Sequence, residues 1–152
     1  MLDPYCPYFE TNCRRNPLVL VVDDCEDNLI FAGRTLELLS YEYLVASGAK
    51  IALDLARDKL PDLILLDIVM PKVDGITLIG KLKKNILTRE IPIIAVTGLA
   101  FESQKKQILT AGCDDYLCKP YLIEDLEEKL NLFLDCNLSI KCIDSCAKAL
   151  AI

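Results

Sequence analysis

Leu18-Val19-Leu20-Val21-Val22-Asp23-Asp24 is the stretch on which the fold turns. Five aliphatic residues in a row, with no polar alternation, suit a strand buried on both faces. Such strands belong to parallel sheets that carry helices on each side. The run stops on two carboxylates. Two more runs of the same kind follow: Leu63-Ile64-Leu65-Leu66, closed by Asp67, and Ile93-Ile94-Ala95-Val96, closed by Thr97-Gly98.

Helical spacing fills the gaps. Leu29, Ala32, Leu36 and Leu39 recur at intervals of three and four within 28–39. Tyr43 to Ser47 reads as a short strand before Gly48, and Ile51, Leu55 and Ala56 mark a helix ending before Pro61. Pro71 and Gly75 bracket a loop, and Ile76, Ile79 and Leu82 continue as a helix. Glu102 to Thr110 reads as helix, Tyr116-Leu117-Cys118 as a last strand closed by Lys119-Pro120, and Glu124 to Leu134 as a final helix. Five strands alternating with five helices predict an α/β fold, a doubly wound five-stranded parallel sheet with helices on both faces.

The domain so defined spans 17–135. Residues 1–16 form an N-terminal extension with two prolines, two cysteines and Arg14-Arg15. Residues 136–152 form a tail in which Ile140, Ile143, Ala147 and Leu150 keep a helical rhythm, so an extra C-terminal helix is expected.

Composition narrows the function. The chain has 152 residues, enough for one domain with a core of its own. Lys plus Arg is 17 against 23 Asp plus Glu, a net charge of −6, which disfavours direct nucleic-acid binding and adhesion to anionic membrane. No apolar run reaches the length of a transmembrane helix, and Met1-Leu2-Asp3-Pro4-Tyr5-Cys6 lacks the basic and apolar regions of a secretory signal. The expected location is cytoplasmic, with no membrane insertion. There is no histidine, which excludes Ser-His-Asp and Cys-His catalysis and imidazole metal sites. Eight cysteines, at 6, 13, 25, 113, 118, 136, 142 and 146, include no C-x-x-C pair. In a reducing compartment they read as small apolar fillers and exposed thiols.

Doubly wound sheets bind ligands outside the carboxyl ends of their strands, where the strand order reverses. The polar residues Asp23, Asp24, Asp67, Thr97 and Lys119 fall at those ends. Two unit charges about 4 Å apart repel by roughly 4 kcal/mol at an effective dielectric of 20, so three converging carboxylates call for a counter-charge. Mg²⁺ suits them, because it takes a few carboxylates and keeps other sites for water and phosphate oxygens. Lys119 adds a point charge for a phosphoryl oxygen and Thr97 a hydroxyl. The set suits phosphoryl transfer, with Asp67, alone after a fully apolar strand, as the candidate nucleophile. Singly, each residue also suits a plain structural role: Asp23-Asp24 as a helix cap, Asp67 as a turn acid, Thr97-Gly98 as a turn, Lys119-Pro120 as a solvated loop. Jointly, at successive strand ends, they argue for a site.

The chain resembles the receiver domain of two-component response regulators over roughly 17–135. The residues that carry the likeness are Val21-Val22-Asp23-Asp24, Leu65-Leu66-Asp67-Ile68-Val69-Met70-Pro71 with Asp74-Gly75, Val96-Thr97-Gly98, and Gly112-Cys113-Asp114-Asp115-Tyr116-Leu117-Cys118-Lys119-Pro120. The spacings agree: 43 residues from Asp24 to Asp67, 30 to Thr97 and 22 more to Lys119. The resemblance implies a flavodoxin-like (βα)5 fold. It implies that Asp67 accepts a phosphoryl group from a histidine kinase or a histidine phosphotransfer protein. It places Mg²⁺ on Asp24, Asp23, Asp67 and the backbone carbonyl of Val69. It gives Thr97 and Lys119 the phosphoryl oxygens, and makes Thr97 and Tyr116 the switch. Val69 and Leu99 fall at the positions that flank the dephosphorylating water. Both are apolar, so slow phosphate loss is expected.

No output domain is legible after residue 135, so the chain reads as a stand-alone receiver whose output is binding, with homodimerisation left open. Two other readings compete. A Mg²⁺-dependent aspartyl-phosphate phosphatase would want a second acid two residues after the nucleophile, where Val69 stands. A receiver-like module that is never phosphorylated would be expected to lack a site residue. Beyond its own phosphotransfer and slow autodephosphorylation, no enzyme activity is expected.

Overall fold

The computed structural model describes residues 16–70, 74–98 and 102–134. The elements run β1 (Leu18–Val22), α1 (Glu26–Leu38), β2 (Glu42–Ala46), α2 (Ala49–Lys59), β3 (Leu63–Asp67), α3 (Gly75–Lys84), β4 (Ile93–Thr97), α4 (Glu102–Thr110), β5 (Asp115–Cys118) and α5 (123–134). All strand pairs are parallel, in the order β2-β1-β3-β4-β5. This is the five-stranded, doubly wound sheet that the apolar runs predict. The order reverses between β1 and β3, which sets the crevice beyond their carboxyl ends. The N-terminal extension up to residue 15, the tail with its expected helix, and Leu99 lie outside the described residues.

β1, β3 and β4 are buried at every position, as central strands covered on both faces must be. The period-two alternation of a strand divides their side chains between two cores. Leu20, Val22, Ile64, Leu66, Ile93 and Ala95 join α2, α3 and α4 in one. Val19, Val21, Leu63, Leu65, Ile94 and Val96 join α1 and α5 in the other. Among the described residues, no helix is long and apolar enough to cross a membrane.

Several boundaries differ from the sequence reading by one or two residues: β2 runs Glu42–Ala46 rather than Tyr43–Ser47, α1 ends at Leu38 rather than Leu39, and α5 starts at 123 rather than Glu124. α1 starts at Glu26 rather than Asn28, because Cys25 takes the cap position and Glu26 and Asp27 suit the positive end of the helix dipole. β5 starts one residue early, at Asp115, whose carboxylate accepts the Tyr116 N–H at 2.7 Å and pairs with Lys129 of α5 at 2.7 Å.

Two glycines are required by the geometry. A Cβ on Gly75 would stand 2.7 Å from the Ile68 Cα, so the chain after β3 can meet α3 this closely only without a side chain. Gly112 has φ +114, in the left-handed region that suits glycine, where α4 turns into β5.

Candidate phosphoryl and metal site

The strand ends bring Asp23, Asp67 and Lys119 together by parity. Asp23 continues the Val19, Val21 series, Asp67 the Leu63, Leu65 series, and Lys119 follows Leu117. All three therefore fall on the α1/α5 side of the sheet. There they line a cavity of about 430 Å³ with Asn28, Phe31 and Tyr121 at its wall and Val21, Leu65 and Val96 behind. Lys119 Nζ lies 3.4 Å from Asp23 Oδ2 and 3.5 Å from Asp67 Oδ2. The Lys119-Pro120 peptide is cis.

Each carboxylate is also tied to the backbone. The Cys25 N–H donates to Asp23 Oδ1 at 2.9 Å, and the Val69 N–H donates to Asp67 Oδ1 at 3.1 Å. Both are local turns, the one at Asp67 being the turn-acid role its sequence position also suited, and they leave the Oδ2 atoms to Lys119. The helix-cap alternative for Asp23 and Asp24 does not hold: Cys25 is the cap residue, and no side chain completes it. Asp24 is exposed. One carboxylate oxygen from each of Asp23, Asp24 and Asp67 lies within 4.8 Å of the others.

Burial decides the electrostatics. Asp23 and Asp67 are 5% and 7% exposed. Desolvation raises the Asp67 pKa above its ordinary value, against Lys119 and the Val69 N–H, which lower it, and with Asp23, which raises it further. For Lys119, burial acts downward, but the charges of Asp67 and Asp23 and the hydrogen bonds to them outweigh it, so its pKa is raised and the ammonium is secure. Three carboxylates face one ammonium, and the unbalanced negative charge with its all-oxygen donor set fits a hard divalent cation such as Mg²⁺.

Thr97 and Tyr116 belong to the other side. Thr97 continues the Ile93, Ala95 series and is fully buried, and its carbonyl accepts the Lys119 N–H at 2.8 Å. Tyr116 is half-buried against the α2/α3/α4 core. Its ring lies under Lys105 of α4, whose Nζ is 5.0 Å from the ring centroid. Val69 is 56% exposed at the mouth of the site.

The structure adds four side chains that the motif reading passed over. Phe31 and Tyr121 stand with ring centroids 6.5 Å apart at 56°, beside the cavity. Asn28 and Phe31 were legible only as polar and apolar positions on α1. Their place at the site depends on α1 packing against β1. Lys105 is one of several charges on a polar helix, and no sequence signal singles it out.

Comparison with known proteins matches this architecture. The family model for the response regulator receiver domain covers residues 19–131. The polar-differentiation response regulator DivK of Brucella anthropi is 36% identical over 116 residues, covering 76% of this chain and 94% of that protein. Among solved structures, a CheY-like receiver domain protein from Methanospirillum hungatei aligns with a TM-score of 0.75 at 32% identity, over 83% of this chain and 98% of that one. The receiver domain of the sensor histidine kinase PA1611 from Pseudomonas aeruginosa, solved with a magnesium ion coordinated in its active site cleft, aligns with a TM-score of 0.72 at 28% identity, over 78% of this chain and 97% of that one. The chain therefore belongs to the response regulator receiver domains of two-component systems, signalling switches rather than turnover enzymes.

Proposed function

We propose that the chain is a phosphorylatable switch with Asp67 as its phosphoacceptor. The observation that carries this reading is the shared ammonium. Lys119 reaches two nearly buried carboxylates at one strand-order reversal, 3.4 Å from Asp23 and 3.5 Å from Asp67. A carboxylate oxygen of Asp67 attacks the phosphorus of a phosphohistidine on a histidine kinase or phosphotransfer protein. The P–N bond breaks, the imidazole keeps the electron pair and takes up a proton, and an acyl phosphate remains.

Asp23, Asp24, Asp67 and the Val69 carbonyl would hold Mg²⁺, which when bound supplies charge neutralisation at the phosphoryl oxygens. Lys119 exchanges its Asp67 contact for a phosphoryl oxygen. The Thr97 hydroxyl donates to a second, and Tyr116 follows the movement of Thr97, altering the surface near β5. These are differential contacts between two arrangements, which is what a switch requires. Val69 and Leu99 offer an attacking water no hydrogen bond, so the acyl phosphate is long-lived. The chain works in the cytoplasm, and its output is a binding event.

The test is incubation with Mg²⁺ and acetyl phosphate, followed by intact mass. One phosphoryl group should add to the wild type and none to Asp67→Asn. Equal addition to both would place the acceptor elsewhere. Continuous release of phosphate from a phosphomonoester would make the chain a phosphatase instead.

A further inference from the structure

α4 is weakly anchored. Of its residues Glu102–Thr110 only Ile108 is buried, near the C-terminal end. The first half carries two unusual features. The Gln104 Oε1 is buried with no hydrogen-bond partner, which disfavours the present seat of the helix. Lys105, one residue on, stands over the Tyr116 ring with Nζ 5.0 Å from its centroid. The nearness of the Tyr116 side chain also raises the Lys105 pKa above its ordinary value. One side chain thus strains the first half of α4, and its neighbour ties that half to β5.

We propose that Lys105 is a latch, holding Tyr116 and the first half of α4 in their present arrangement, so that Tyr116 moves only when the contact with Lys105 is given up. This rests on the reading of Tyr116 as the residue that responds to phosphorylation of Asp67, and it adds a control by a particular side chain of this sequence. In the latched arrangement Lys105 has the ring. In the alternative it has water, and the Gln104 oxygen is freed to be hydrated. The two side chains pull in opposite directions, and their difference sets the balance. A partly exposed cation–ring contact shifts such a ratio by about two- to fivefold.

The test uses the full-length chain. Lys105→Met keeps the stem and removes the charge, and Lys105→Arg keeps a cation that can sit on the ring. Without any phosphodonor, amide hydrogen exchange across 102–110 should quicken by about two- to fivefold in Lys105→Met and stay at the wild-type rate in Lys105→Arg. Gln104→Leu, which removes the buried oxygen, should slow it. In a Tyr116→Leu background Lys105→Met should change nothing further. With Mg²⁺ and beryllium fluoride, Lys105→Met should bind the fluoride more tightly by the same factor. Unchanged exchange in Lys105→Met, an arginine variant as fast as the methionine one, or equal acceleration without the Tyr116 ring would each overturn the latch. A wild type that takes up no beryllium fluoride would instead remove the phosphoryl reading, and the exchange comparison would still judge the contact between Lys105 and Tyr116.

Discussion

α1 and α4 lie on opposite faces of one sheet and are held to it very differently. α1 buries Leu29, Ala32, Gly33, Thr35 and Leu36, and shares its core with Leu126, Leu130 and Leu134 of α5. α4 buries Ile108. Asp23, Asp67 and Lys119 sit on the α1/α5 side, against a wall that resists movement. Thr97 and Tyr116 sit on the α4 side, where little core must be broken for a helix to shift. A firmly backed carboxylate pair with its lysine and a loosely backed Thr97 and Tyr116 thus share the same strand ends. Strand parity separates the two, because neighbouring residues on β4 and β5 face opposite layers.

The contrast can be broken most directly by removing core from each side. Leu36→Ala takes a fully buried side chain from α1 and should cost about 2–5 kcal/mol of global stability, read from denaturant unfolding. Ile108→Ala should show itself mainly in local opening. Amide exchange across 102–110 should rise by more than the global midpoint falls, and a drop in the midpoint as large as that of Leu36→Ala would erase the distinction between the helices.

The buried thiol between α4 and β5 sharpens the picture. Cys113 is 6% exposed, its Sγ lies 3.1 Å from the Ile93 carbonyl, and burial pushes its pKa up to about 11 from 9.0. The folded state keeps the proton that the unfolded chain gives up, so stability should fall as pH rises from 9.0 and level off above about 11. The difference between wild type and Cys113→Ala should carry this slope, at most about 2–3 kcal/mol. A flat difference would mean that water reaches the thiol.

Val69→Asn combined with Leu99→Glu should speed loss of the phosphoryl group by about tenfold, roughly 1.4 kcal/mol of barrier, measured as phosphate release after the donor is removed. Unchanged decay would remove the apolar positions from the account. The smallest effect is expected for Leu109→Ala. The side chain is 45% exposed on α4, and the unfolding free energy should move by no more than about 0.5 kcal/mol. A larger loss would mean that α4 is better seated than its single buried residue indicates.

Much of the site was legible in the sequence for a plain reason. A parallel strand buried on both faces must be almost purely apolar, so a carboxylate or lysine at its end is conspicuous, and the doubly wound order brings such ends together. Asp23 and Asp67 were readable in this way, whereas Lys119 closes a partly buried edge strand and was readable from its place at the end of the last strand. What lay beyond was readable only in part. The start of α1 was misplaced by two residues because Glu26 and Asp27 look like strand-end polarity and serve as a first helical turn.

The amino-acid sequence alone determined the fold class, the succession of elements and the polar residues that close the strands, because burial on two faces and the period of each element write themselves into residue order. Tertiary structure alone decided that Asp23, Asp67 and Lys119 share one face while Thr97 and Tyr116 share the other, and that Lys105 meets Tyr116. Those facts depend on strand register, on where each helix begins and on how two helices cross one sheet, which are distances between segments far apart in the chain.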